Sequence, residues 1–178
     1  MIKRVVDLRR SLQKGESVCD AMPGWYRWWC KKEIAIPLLD LIGIRKTEPQ
    51  LLRKEIDGRE YVAIYFGISK DLNGRIKWHI CQKHTAGSVR SGFLSTLRQS
   101  LSALLDSDMS KSQQLVNNFI DDNCYLEYDN TVSHKEAENI EKTELSQEYY
   151  YPLNIAGAKS TPEYVKDNLK KLRKIHKK

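Results

Sequence analysis

Asp57-Gly58-Arg59-Glu60-Tyr61-Val62-Ala63-Ile64-Tyr65-Phe66-Gly67 is the stretch on which the reading of this chain turns. An Asp-Gly pair tolerates positive φ and so favours the tight turn of a β-hairpin. Leu51 to Ile56 before it and Tyr61 to Phe66 after it are then its two strands. Val62 to Phe66 is nearly all apolar, a pattern that belongs in a strand covered on both faces, in the middle of a sheet rather than at its edge.

Working upstream, Pro23-Gly24 punctuates the chain and Trp25-Tyr26-Arg27-Trp28-Trp29-Cys30 follows as an aromatic run with strong β preference. Alternation puts Tyr26, Trp28 and Cys30 on one face and Trp25, Arg27 and Trp29 on the other, so this strand too reads as internal. Pro37 is placed to open a short helix that ends near Gly43, and Val5, Val6, Leu8 and Leu12 mark an amphipathic helix over residues 3–13. Downstream, a loop at Asp71–Gly74 leads into a helix over 75–82. Phe93, Leu94, Leu97, Leu101, Leu104 and Leu105 recur at the 3.6-residue period, which predicts one helix over 88–105 with Arg90 and Arg98 on its solvated side. A helix at 115–120, a strand at 124–128 and a helix opened by the capping pattern Ser133-His134-Lys135-Glu136 and running to about Glu148 complete the order; Pro152 disfavours any continuation.

The fold expected is α+β, a small antiparallel or mixed three-stranded sheet flanked by helices. One domain over 1–178 suffices: a helical extension at 1–20, a core at 21–156 with an insertion at about 31–52, and a basic tail or helix at 157–178.

The formal net charge is +7, and seven of the thirty Lys and Arg residues fall after Val165. Such a field attracts polyanions, which makes nucleic acid the leading partner class. Cys19, Cys30, Cys81 and Cys124 are scattered, without a Cys-x-x-Cys pair, as in a reducing compartment. No apolar run approaches membrane-spanning length and none follows the basic N-terminus, so the expectation is a cytoplasmic protein without membrane contact.

Two tyrosine strands, a basic helix and a carboxylate-bearing helix, in that order, give the chain its resemblance to the GIY-YIG nuclease superfamily. Gly24-Trp25-Tyr26 resembles the first tripeptide of that family and Tyr65-Phe66-Gly67 the second; Arg75 follows Tyr65 by ten residues and His79 follows Arg75 by four. The interval between the tripeptides is longer than in compact members, as in restriction-type relatives that carry an insertion there. The resemblance implies an endonuclease acting on DNA, double-stranded by preference, with Tyr26, Tyr65, Arg75, His79 and a helical glutamate as catalytic residues. It implies one Mg²⁺ or Mn²⁺ on that glutamate, and Gly24, Gly67 and Asn154 as structural supports. Cutting both strands asks for a homodimer or for two successive encounters.

The residue types fit that chemistry. Phosphodiester hydrolysis needs an activated water, stabilised charge on the phosphoryl oxygens and help for the leaving alkoxide. Arginine offers a permanently charged planar fork to phosphate oxygens. A carboxylate suits a hard cation that keeps several waters, and a phenol acts as a base only beside a cation or metal that favours phenolate. On the helical wheel Glu141, Glu144 and Glu148 share the inward arc with Ala137, Ile140 and Leu145, where an unpaired carboxylate is costly. The resemblance implies a glutamate about one turn before an apolar residue and about a dozen residues before a Pro-to-Asn turn; Glu141, four residues before Leu145 and thirteen before Asn154, fits that pattern best, with Glu144 and Glu138 as alternatives. Lys70, Lys77, Arg90 and Arg98 are the nearby candidates for phosphate contacts. A zinc site at His79, Cys81 and His84 lacks a fourth ligand. Two competing readings remain: a catalytically inactive nucleic-acid-binding module on the same fold, and a basic interaction protein of unrelated α+β architecture.

Overall fold

Strand β2 (Gly24–Lys31) lies at the centre of a five-stranded sheet, because both its faces are aromatic and both must be covered. The structure, a computed structural model, describes residues 1–45 and 50–177. Its other strands are β1 (Ile2–Arg4), β3 (Arg53–Ile56), β4 (Arg59–Ser69) and β5 (Cys124–Asn130), in the order β1-β5-β2-β4-β3 with every pairing antiparallel. The hairpin at Asp57-Gly58 joins β3 to β4 as read, with positive φ at both turn residues. The expectation of three strands is corrected to five. Strand β1, at one edge, holds only three residues, too short for alternation to register, and the other edge, β3, is the first strand of the hairpin.

The helices are α1 (Val5–Gln13), α2 (Lys32–Asp40), α3 (Leu72–Cys81), α4 (Ala86–Arg90), α5 (Thr96–Leu104), α6 (Gln113–Asn123), α7 (His134–Glu144) and α8 (Glu163–His176). Four of the expected helices come out differently. In α2, Pro37 sits inside the helix, which follows β2 directly and exposes the proline on its outer side. Helix α3 starts at Leu72 because the Asp71 side chain accepts from Gly74 N (2.9 Å) and caps it. The single helix expected over 88–105 is broken: Gly92 takes φ +72°, and Ser95 caps α5 by accepting from Arg98 N at 3.2 Å. That break turns Phe93 outward, 66 % exposed, while Leu94, Leu97, Leu101 and Leu104 stay in the core. Helix α7 keeps its Ser133 cap and stops at Glu144, short of the expected Glu148.

Two layers of core follow from the alternation along β2. Tyr26, Trp28 and Cys30 join the main core beneath α1, α3, α5, α6 and α8, whereas Trp29 joins Phe66, Tyr61 and Tyr151 on the opposite face, with Trp25 packed against them. Residues 46–49, part of the segment read as an insertion, and Lys178 of the basic tail lie outside the described residues. Among the described residues no helix is long and apolar enough to cross a membrane.

Candidate active site

The site begins with a register irregularity. Trp28 pairs with Tyr65 but Trp29 pairs with Ala63, so Ile64 is the extra residue of a β-bulge in β4. A bulge turns the alternation over, and Ile64 and Tyr65 consequently face the same layer of the core as Tyr26 and Trp28. Without it Tyr65 would lie on the face of Ala63. The carbonyl of Ile64 accepts from Leu153 N at 3.0 Å, and Asn154 clamps Phe66, two residues on, its Oδ1 accepting from Phe66 N (2.9 Å) and its Nδ2 donating to Phe66 O (2.8 Å). The free edge of β4 is thereby satisfied by residues ninety positions further along.

Tyr26 stands opposite Gly67. A Cβ at Gly67 would meet the Tyr26 hydroxyl at 2.5 Å and its Cζ at 2.7 Å, so the phenol occupies the space that any other residue would fill. Gly24 likewise makes room for Leu72, whose Cδ2 would lie 2.7 Å from a Cβ there. The rings of Tyr26 and Tyr65 stack with centroids 6.3 Å apart.

Helix α3 brings Arg75 and His79 to these tyrosines one turn apart. Nε2 of His79 lies 2.9 Å from the Tyr26 hydroxyl, and its Nδ1 is buried without a hydrogen-bond partner among the described residues. Burial, with the charges of Arg75 and Arg98, pushes the His79 pKa down to about 3, so the ring is neutral at ordinary pH. Burial also raises the Tyr26 pKa well above 10, and Arg75 only partly opposes it. Arg75 lies over the Trp78 ring at 4.7 Å and has no carboxylate partner among the described residues.

Helix α7 supplies the acid. Glu141 and Arg75, with Tyr26, Tyr65, Gly67, Thr96, Asn154 and their neighbours, line one cavity of about 240 Å³. Glu141 is half-buried with no ion-pair partner among the described residues, and burial raises its pKa. Glu144, one turn nearer the helix end, is engaged elsewhere: Oε1 takes the Arg27 guanidinium at 2.8 Å, and Oε2 accepts from Tyr149 (2.9 Å) and Tyr151 (2.6 Å). Arg27 is the cation that the crowded arc of carboxylates demanded, held among Trp25, Trp29, Phe66 and Tyr151 and paired also with Glu127 at 2.9 Å. Glu138 pairs on the surface with Lys135 (3.2 Å) and His134 (3.6 Å).

Among the described residues no cluster of three His, Cys, Asp or Glu side chains is placed to hold a metal. A lone half-buried carboxylate beside an arginine suits a hard divalent ion, which keeps most of its waters and takes the rest of its ligands from phosphate. The donor set at Glu141 therefore fits Mg²⁺ or Mn²⁺.

Lys70, Lys77 and Arg90 are exposed near α3 and α4. Arg98 is not where a phosphate contact requires it. It is fully buried, donating to His84 Nε2 (2.6 Å), Asn117 Oδ1 (2.6 Å) and the carbonyls of His79 (2.9 Å) and Ile80 (3.3 Å). Its guanidinium is spent on joining α3, α5 and α6. Sequence reasoning missed Thr96 in the cavity lining and Arg173 of α8, which sits close enough to Tyr65 for each to shift the other's pKa. No local pattern marks either.

A family model described as GIY-YIG catalytic domain matches residues 24–175 of the chain. No curated protein matches it, and no solved structure does.

Proposed function

The chain belongs to the GIY-YIG catalytic domain family, and from that premise we propose that it is an endonuclease hydrolysing phosphodiester bonds of double-stranded DNA with one Mg²⁺ or Mn²⁺ ion. The observation that carries the proposal is the convergence of Tyr26, Tyr65, Arg75 and Glu141 on one cavity, where two helices bring an arginine and a carboxylate to the tyrosines of two paired strands.

In this reading Arg75 takes the non-bridging oxygens of the scissile phosphate, since no acid competes for it among the described residues. The attacking water gives a proton to the Tyr26 hydroxyl as the phenol passes its own to His79 Nε2, 2.9 Å away. Burial is the larger cause of His79's weakness as a base and the Arg75 charge a smaller one; a phosphodiester seated on Arg75 offsets the second. Tyr65 donates to a phosphoryl oxygen and orients the water. Glu141 holds the divalent ion, which when bound supplies Lewis-acid stabilisation to the phosphoryl and leaving oxygens. Asn154 keeps Phe66, and with it Tyr65 and Gly67, in register.

Supercoiled plasmid incubated with the purified protein tests this. Nicked or linear product is expected with Mg²⁺ or Mn²⁺ and not with EDTA, and Arg75→Ala, Tyr65→Phe and Glu141→Gln are expected to abolish it while the protein stays folded. Intact plasmid under every metal condition, with salt-sensitive DNA binding retained, refutes the enzyme and leaves a binding module on the same fold.

A further inference from the structure

Helix α8 buries Val165 and Leu169 completely and packs on α5. Along its flank Lys170, Arg173, Lys174 and Lys177 recur at the intervals that keep residues on one side of a helix. With Thr96 and Gln99 of α5, and with Ile155 and Ala156, they line an open depression of about 450 Å³. Thr96, Ile155 and Ala156 also line the cavity that holds Tyr26, Tyr65, Arg75 and Glu141. The basic depression and the catalytic cavity therefore share a wall.

A lysine-rich helix is most often a solvated face, and three of these four cations fit that description. Lys170 is answered within its own helix, by Asp167 at 3.4 Å and Glu163 at 3.8 Å. Arg173 does not fit. Its side chain is partly withdrawn from water beside Tyr65, its guanidinium donates to Gln99 Oε1, and no carboxylate pairs with it among the described residues. A cation so placed is ordinarily matched by an anion. Lys174 and Lys177, both exposed, also have no ion pair among the described residues. Three cations without acids thus lead away from the cavity in one direction.

We propose that this depression is a second subsite for the DNA strand, with Arg173 holding the backbone phosphate next to the scissile one and Lys174 and Lys177 holding those beyond it. Four residues advance about 6 Å along a helix and successive phosphates of one strand advance about 3.4 Å along a B-form duplex, so the stretch from Arg173 to the C-cap Lys177 spans about two phosphate steps, enough for the three phosphates assigned to it. Contacts of this kind fix the register of the strand over Arg75 without reading its bases. Arg173 is accordingly a positioning residue. The assignment rests on the nuclease reading and adds where the substrate runs.

The test is binding of a fluorescent DNA duplex in EDTA, where nothing is cut, as a function of salt. Lys174→Gln/Lys177→Gln is expected to shrink the slope of log affinity against log salt by about 1.8, the loss of two phosphate contacts. Lys171→Gln removes an exposed charge of the same helix that does not line the depression, and is expected to change the salt slope by well under the value of one phosphate contact. Arg173→Gln is expected to weaken binding by about ten- to a hundredfold, with Arg173→Lys recovering part of the loss. Melting curves check that each variant is folded; should Arg173→Gln fail to fold, the exposed lysine pair decides. Lysine-pair variants that keep the wild-type slope, or that behave like Lys171→Gln, overturn the subsite while plasmid cutting by the wild type stands. Wild-type protein that neither binds nor cuts DNA brings down the nuclease reading itself, and the subsite with it.

Discussion

The Tyr26 hydroxyl stands 2.9 Å from Nε2 of His79, and the ring it touches is held neutral by burial with a pKa near 3. Two groups that each resist charging therefore share one proton in a water-poor corner of the site, beside a cation that substrate is to neutralise. If that shared proton is part of the reaction, Tyr26→Phe should lower single-turnover cutting by about 10²- to 10⁴-fold, the usual worth of one acid–base group. His79→Gln should fall by a similar factor, and the double variant by little more than either alone. Fully multiplicative losses would separate the two residues into independent roles.

Gly67 is the steric counterpart of Tyr26. A methyl group there would meet the phenol at 2.5 to 2.7 Å, closer than real carbon contacts allow. Gly67→Ala should therefore displace the Tyr26 ring, with a stability cost of about 1 to 3 kcal/mol, as in other overpacked cores, and a loss of cutting larger than that cost explains. Melting temperature and plasmid nicking on the same preparation check it. Activity near the wild-type level would mean that the ring has freedom the packing denies it.

How much of this was legible depended on chain distance. Tyr65, Gly67, Arg75 and His79 lie within one strand–turn–helix segment, so their spacing alone placed them together. The bulge at Ile64 carries no glycine or proline to announce it, yet it decides that Tyr65 faces Tyr26. Arg98 was read as solvated because arginine usually is, but its five hydrogen-bond partners come from α3, α6 and the turns around them, and no local pattern encodes them. Glu141 and Glu144 were not separable in the sequence for the same reason: Arg27, which pairs with Glu144, stands more than a hundred residues before it.

That pairing gives a double dissociation. Glu144→Gln weakens a nearly buried ion pair inside an aromatic box, and removing one partner of such a pair costs about 3 to 5 kcal/mol. Cutting should persist wherever the protein remains folded. Glu141→Gln removes a half-buried carboxylate that has no cation beside it among the described residues. Stability should hold or rise, and both Mg²⁺-dependent cutting and Mn²⁺ binding should disappear. Urea denaturation, plasmid nicking and Mn²⁺ titration by electron paramagnetic resonance on the two variants separate these outcomes. The reverse pattern would move the metal to Glu144.

The last expectation concerns acid. Two histidines are buried neutral: His79, pushed down to about 3, and His84, pushed down to about 4 by burial and by Arg98, whose Nε donates to its Nε2. In the unfolded chain both titrate near 6.5. Between these values the unfolded state binds protons that the native state refuses, so stability is fully present above about pH 6.5 and is lost as pH falls, at about 1.4 kcal/mol per pH unit for each histidine. His79→Asn abolishes one of the two contributions and should also forfeit the contact with Tyr26. At neutral pH the variant should be the less stable protein. As pH is lowered towards 4 the gap in unfolding free energy should close by about 1.4 kcal/mol per unit, because only the wild type is still losing that proton's worth. Urea melts at a series of pH values measure it directly. Parallel curves for the two proteins would show that His79 titrates in the native state as it does in the unfolded chain, and the buried, uncharged ring beside Tyr26 would be refuted.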